Sequence, residues 1–397
     1  MLAGADVVPA APAPGGTAAP GWQEVPGGTA DAQLPSAQAQ QASCADGASR
    51  FAAGAVTSYR CTTVRAEPAA ALPAASLADA AASITWPAPC SPNNGTITPT
   101  YLAVSRRGAC AHLRFGITIT EYSTAFPQGR VVGTTDMHAV ITMVASGATW
   151  ASHMTLWLWS FTGVGSPTST TGQVSGSGTS AAGAWGPSGA GFWHGDDTLS
   201  STVPLGAVEN LSGDWNLTVS GAGWGNPVAV DLPLATSRCD DTFRPRLAGC
   251  VFPGVTGLAG ISQSAAPTYA RHVYEAQMSG LPGRLSTGTV LTRLQNVTQK
   301  RANYNLSCPT SLVRPAGYSC DEYPFQSTYQ GASTGGGTLA RTLPWCQVPG
   351  VQRTGPSGWS RCMILVGDNS SGGGQLSGSY SSERLLDGDP FVVGYLP

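Results

Sequence analysis

The stretch best equipped for chemistry in this 397-residue chain is Ser319-Cys320-Asp321-Glu322-Tyr323-Pro324-Phe325-Gln326-Ser327-Thr328-Tyr329. Charged residues make up only 11% of the sequence, yet two acids stand side by side here, framed by a cysteine, two aromatics and a proline. Carboxylates in a rigid frame can hold a hard divalent cation or take a proton from water. The same residues also read as a solvated acidic turn. Asp368, Asn369, Asp387 and Asp389 add oxygen donors further on, which suit Mg²⁺, Mn²⁺ or Ca²⁺ rather than softer metals. The five histidines end at His272, so a histidine beside Asp321 would have to be His272, brought in by the fold. There is no Gly-x-Ser-x-Gly elbow, Walker loop or HExxH motif. Glycine runs at 335–337 and 372–374 lack a phosphate cradle's flanking elements and read as flexible loops. What remains is carboxylate chemistry on a phosphoryl centre polarised by a metal, with Arg271, Arg301 and Arg384 available for phosphates.

Charge and composition say what surrounds these residues. The net charge of −2 gives no steering by the whole molecule, but it is unevenly spread. Residues 1–260 carry 10 Arg against 15 acids, whereas 261–397 carry nine Arg and Lys300 against seven acids. The C-terminal third is therefore mildly basic, as suits a polyanion ligand. With 51 Gly and 30 Pro, the chain favours short strands and turns over long solvated helices. No run approaches the roughly 18 apolar residues of a membrane span. Ten cysteines without a CxxC pair argue for disulfides over zinc. Their spacing suggests Cys44–Cys61, Cys90–Cys110, Cys239–Cys250, Cys308–Cys320 and Cys346–Cys362. Five bridges imply an oxidising compartment. The first residues lack a basic and then apolar leader, as expected of a mature secreted chain.

The elements fall into four regions. Residues 1–42 read as a disordered Ala/Pro/Gly-rich tail. Residues 43–98 form a poorly defined cysteine-containing segment with a possible helix at 69–82. Residues 99–260 show period-two alternation at 111–120, 138–144, 155–161 and 216–220, separated by turn residues, which predicts an all-β sandwich. The Trp/Phe stripe near 157 reads as core or as a ligand platform. A disulfide hook at 239–253 closes the region, with Asp240 and Asp241 as solvated acids or cation ligands. Residues 261–397 predict an α+β domain: a helix at 269–278, a helical or irregular stretch at 289–302, a buried strand at 361–366, a loop at 368–374, a helix at 375–383 and a last strand near 390.

Cys320-Asp321-Glu322-Tyr323-Pro324-Phe325-x-Ser327-Thr328 resembles the signature of the secreted NucA/NucB family of bacterial deoxyribonucleases, especially its actinobacterial branch. Accompanying pieces lie in the same order: Arg271-His272-Val273-x-x-Ala276-Gln277, Lys300-Arg301, Cys308-Pro309, Asp368-Asn369 with Gly372-Gly373-Gly374, and Leu385 to Phe391. The resemblance covers roughly residues 265–397. It implies a ββα-metal-like core and a non-specific, Mg²⁺- or Mn²⁺-dependent endonuclease acting on DNA. It further implies Asp321 as general base, with Glu322 as its catalytic neighbour, a metal ligand or a structural acceptor. Asp368 and Asn369 would serve metal or phosphate, His272 and Arg301 would contact substrate phosphate or pack the site, and Arg384 would bind substrate. Gln326 replaces a usual alanine, and 375–383 lacks an asparagine found in some relatives, for which Glu383 could substitute as ligand. The chain is expected to be a monomer, and two other readings keep the same residues: a catalytically weak or dead nuclease-like domain in a cell-surface or ligand-binding protein, and a toxin with an immunity partner.

Overall fold

The computed structural model describes residues 23–29, 37–66, 90, 98–189, 191–243, 248–287 and 289–396. The expected helix at 69–82 lies outside them. The chain forms two compact units that divide between Phe252 and Pro253. Among the described residues no helix is long and apolar enough to cross a membrane. All five disulfides pair neighbouring cysteines as the spacing suggests.

The N-terminal unit is strand-rich. Its elements are β1 (Gln23–Thr29), α1 (Ala37–Ser43), α2 (Ala45–Ala52), β2 (Ser58–Ala66), β3 (Thr98–Ser105), β4 (Gly108–Ser123), β5 (Phe126–Ser146), β6 (Thr149–Gly163), β7 (Pro167–Gly176), β8 (Thr179–Gly189), β9 (Phe192–Ser200), β10 (Val208–Leu211), β11 (Gly213–Gly221), β12 (Val228–Pro233), β13 (Ser237–Asp240) and β14 (Gly249–Val251). Part of the expected tail is thus structured, since β1 pairs with β3. A large sheet runs β1-β3-β4-β5-β6-β9-β8, with β2 also on β4, and two three-stranded sheets run β12-β11-β7 and β10-β13-β14. Alternation dictates the core: Phe115, Ile117 and Ile119 of β4 and Trp215, Leu217 and Val219 of β11 are buried. The Trp215 indole donates to Ser152 Oγ at 2.8 Å, tying β11 to β6. The aromatic stripe divides, with Trp157 in the core and Phe161 49% exposed. In the hook, Asp240 and Asp241 are buried instead of solvated, and Asp240 Oδ1 accepts from Thr242 Oγ1 at 2.8 Å.

The C-terminal unit contains β15 (Gly257–Ser262), α3 (Pro267–Met278), β16 (Leu291–Thr292), α4 (Val297–Ser307), β17 (Tyr318–Tyr323), β18 (Ala340–Arg341), β19 (Trp359–Leu365), α5 (Val366–Ser382) and β20 (Pro390–Leu396), with one π-helical turn at Ala332–Gly336. One small sheet has β20 between β15, parallel, and β16, antiparallel. Because β15 belongs to this sheet, the unit begins earlier than residue 261. The other sheet has β19 between β17, antiparallel, and β18, parallel. A shared core of α3, α5 and both sheets includes Val273, Ala276, Tyr323, Phe325, Cys362, Ile364, Leu376 and Phe391.

The predicted loop at 368–374 is instead the first part of α5, which starts directly after β19. Three consecutive glycines disfavour a helix locally, but packing reverses that at one of them. Gly372 lies under the Tyr269 ring of α3, where an added Cβ would stand 2.2 Å from Tyr269 Cδ1. Gly373 has nothing within 4 Å of such a Cβ. Alanine gains about 1 kcal/mol over glycine inside a helix, whereas overpacking costs about 1–3 kcal/mol. Gly372→Ala should therefore destabilise the protein and Gly373→Ala should stabilise it; urea unfolding of the two variants checks the opposite signs.

Candidate active site

The site grows from the strand character of β17. Successive side chains in a strand point to opposite faces, so Ser319, Asp321 and Tyr323 share one face, and Cys320 and Glu322 the other. On the first face lies α3. His272, fully buried on that helix, approaches Asp321 with Nδ1 2.6 Å from Oδ2. A carboxylate only accepts, so Nδ1 carries the proton. In the neutral imidazole Nε2 then accepts from Ser360 Oγ at 2.9 Å. Ser360 stands opposite Tyr323 in the β17–β19 ladder, so the sheet itself sets this third member. Asp321 is 5% exposed, and its Oδ1 has no protein donor among the described residues. Burial, with the Asp321 charge next among the causes, pushes the Tyr269 hydroxyl far above its ordinary range. The Tyr323 hydroxyl donates to Pro282 O and accepts from Gln277 Nε2 at 2.8 Å, which locks α3 to the strand one residue pair beyond Asp321.

Glu322 faces away from this constellation. It is 7% exposed; Oε1 accepts from Gln326 N at 3.1 Å, and Oε2 lies 3.8 Å from Cys308 Sγ. That sulfur is bridged to Cys320 and has no proton to donate. Burial first, then the Asp321 charge, pushes the Glu322 carboxyl up to about 8, against the opposing backbone hydrogen bond from Gln326. The two neighbouring acids are thus separated by the sheet, and do not form one paired carboxylate site.

The other expected residues spread out. Asp368 Oδ2 accepts from Thr268 N and Thr268 Oγ1, both at 2.7 Å, and so caps the first turn of α3 from a different helix. Asn369 Nδ2 donates to Ser319 Oγ at 2.9 Å and to Cys320 O at 3.2 Å, bringing the start of α5 to the Asp321 face. Glu383 follows the end of α5. Fourteen residues at about 1.5 Å each put it roughly 21 Å along the helix from Asn369, too far to share an ion with it. Arg384 is buried with a φ of 49°, and is not offered to a phosphate. Burial likewise removes His272 from substrate and makes it a partner of Asp321. Arg301 is exposed on α4.

Among the described residues, no three His, Cys, Asp or Glu side chains cluster to hold a metal ion. Mg²⁺ commonly takes only one or two carboxylates and keeps water and substrate oxygens for its remaining positions. Two oxygens at the start of α5 fit that pattern: among the described residues, Asn369 Oδ1 and the second oxygen of Asp368 have no protein donor. Glu322 and Glu383 do not fit it. Sequence reasoning missed Ser360, which carries no motif signal, and Asn303. The buried Asn303 amide donates to Gln326 O at 2.9 Å and accepts from Ser333 N at 2.8 Å, clamping the segment that follows β17 to α4.

The raised Glu322 carboxyl has a consequence for stability. Its folded value of about 8 lies above the ordinary 4.5, so the folded state binds the proton more tightly. This contribution is fully present below pH 4.5 and is lost as pH rises to about 8. Glu322→Gln should flatten that part of the stability–pH curve, measured by urea unfolding at fixed salt; an unchanged slope would place the titration elsewhere.

No curated protein and no solved structure matches the chain. Residues 286–394 match the family model Deoxyribonuclease NucA/NucB. The matched stretch includes α4, β17, β19, α5 and Asp321, while α3 and His272 precede it. The C-terminal region therefore carries a domain of the NucA/NucB deoxyribonuclease family.

Proposed function

We propose that the C-terminal unit is a divalent-metal-dependent, largely sequence-non-specific endodeoxyribonuclease that hydrolyses DNA phosphodiester bonds, with Asp321 as general base. The observation that carries this reading is the asymmetry of the Asp321 carboxylate: His272 holds one oxygen at 2.6 Å, and among the described residues the other has no protein donor. A carboxylate fixed in that way can take a proton from an attacking water through Oδ1. The proton resides on Asp321, and the positive edge of His272 Nδ1–H at Oδ2 keeps the carboxylate oriented before attack. Asp321 sets the imidazole tautomer and Ser360 fixes the ring from the other side. Mg²⁺ or Mn²⁺ held by Asp368 and Asn369 would polarise a phosphoryl oxygen and neutralise the leaving group. Exposed Arg301 is assigned to phosphate contact. Glu322 takes a structural role. The order β17, β19, α5, with the helix starting directly after the antiparallel pair, supports a ββα-metal-like core. The N-terminal unit is read as a two-sheet β-sandwich accessory domain, and the five disulfides support a secreted protein.

Asp321→Asn keeps an acceptor for His272 and removes the base. It should lower Mg²⁺- or Mn²⁺-dependent plasmid nicking by at least about 10²-fold, with the far-UV circular dichroism unchanged and wild-type nicking abolished by EDTA. Nicking by the variant at the wild-type rate overturns the assignment, and a wild-type protein inert with every divalent metal tested overturns the enzyme reading itself.

A further inference from the structure

A second basic feature lies at the other end of α3. Arg341 of β18 is 2% exposed and forms no ion pair among the described residues. Its Nη1 donates to Ser279 O at 3.1 Å, Ser279 Oγ at 3.0 Å and Gly355 O at 3.1 Å, and its Nη2 to Gly355 O and Ser357 O. These acceptors are neutral, and Nε has no acceptor at all. The guanidinium charge is therefore buried without a counter-ion, a costly arrangement. Burial and the charge of Arg353 both push the Arg341 guanidinium down from its ordinary range. Arg353 is exposed, and among the described residues nothing pairs with it. Both arginines line a cavity of about 660 Å³ whose wall includes Thr342, Thr354 and Ser357 and no acid. A second cavity of about 360 Å³ shares Thr342, Leu343 and Gln352 with it, so the cleft continues past one ligand-sized pocket. Its floor is preset: Gly355 N donates to Ser279 O at 2.7 Å, and a Cβ on Gly280 would meet the Gly355 backbone at 2.9 Å.

The geometry points to an oxyanion subsite at the exposed Arg353 that takes a phosphate group, with the buried, uncompensated charge of Arg341 behind it, distinct from the Asp321 centre. A DNA strand is the source expected if the nuclease reading holds, and free phosphate is the other source with the same chemistry. Arg341 stands opposite Ser360 in the β18–β19 ladder, so the subsite and the His272–Asp321 pair share one strand as backbone. A strand engaged at Asp321 would have its flanking phosphates held here, raising affinity without touching the scissile bond.

The test is calorimetric titration of the full chain in EDTA with two probes: inorganic phosphate and a nuclease-resistant phosphorothioate hexadeoxynucleotide. Arg353→Gln, at an exposed side chain, should weaken oligonucleotide binding by about tenfold or more and reduce its salt slope by about one charge. Arg341→Lys keeps the charge but gives up the hydrogen bonds that hold Ser279, Gly355 and Ser357, and should also weaken binding by loosening that floor. Oligonucleotide binding tighter than phosphate assigns the strand as the ligand; equal binding of phosphate, lost in the same variants, assigns free phosphate. Binding of both probes to Arg353→Gln within twofold of wild type overturns the subsite. The readout is independent of cleavage, so Asp321→Asn protein should show the same Arg353 dependence even where the nuclease reading fails.

Discussion

The hydrogen bond between His272 and Asp321 is the interaction on which the C-terminal unit turns. A carboxylate at 5% exposure is costly unless its charge meets a donor. His272 supplies that donor at 2.6 Å, and Ser360 fixes the imidazole from the far side. Three elements must be in place for it: α3 for the histidine, β17 for the acid and β19 for the serine. The surrounding polar contacts serve that assembly. Gln277 joins α3 to Tyr323 and, through Tyr395 Oη–H at 2.7 Å, to β20. Asp368 steadies the start of the helix and Arg341 its end.

The alternation of β17 sorts the acids by task. Asp321 goes to the helix-covered face, where it keeps one oxygen free of protein donors. Glu322 goes to the disulfide face, where burial favours its neutral form. Asp368 serves as a helix cap and Asp387 as an acceptor for Gln295 N and Tyr329 Oη. In a sequence with so few charges, most of the carboxylates near the site have structural duties, and a count of acids overstates the oxygen ligands available to a metal.

Much of this was legible in the sequence. The alternating runs became β4, β5, β6 and β11, the cysteine spacing gave the disulfides, and the motif around Asp321 marked the deoxyribonuclease-family region. Two readings failed for physical reasons. On its chemistry the Asp-Glu pair reads as a joint site, but the period of a strand from Cys320 to Tyr323 parts the two acids, and of the roles open to Glu322 the structural acceptor is the one that fits. Local propensity makes the glycine run at 372–374 a loop, whereas the closeness of α3 and α5 requires a residue without Cβ at 372. Ser360 could not be found from local pattern, since its role exists only after β19 has paired with β17.

The sheet formed by β15 and β20 carries a consequence for the order of synthesis. These strands lie side by side and parallel, from Gly257 opposite Phe391 to Ser262 opposite Leu396. Parallel neighbours so far apart in sequence cannot join until nearly all the intervening chain exists. Phe391 and Val393 also complete the core that holds α3 and α5. A growing chain therefore has its histidine, acid and serine in hand well before it can hold them together, and assembly of the site falls to the closing strand.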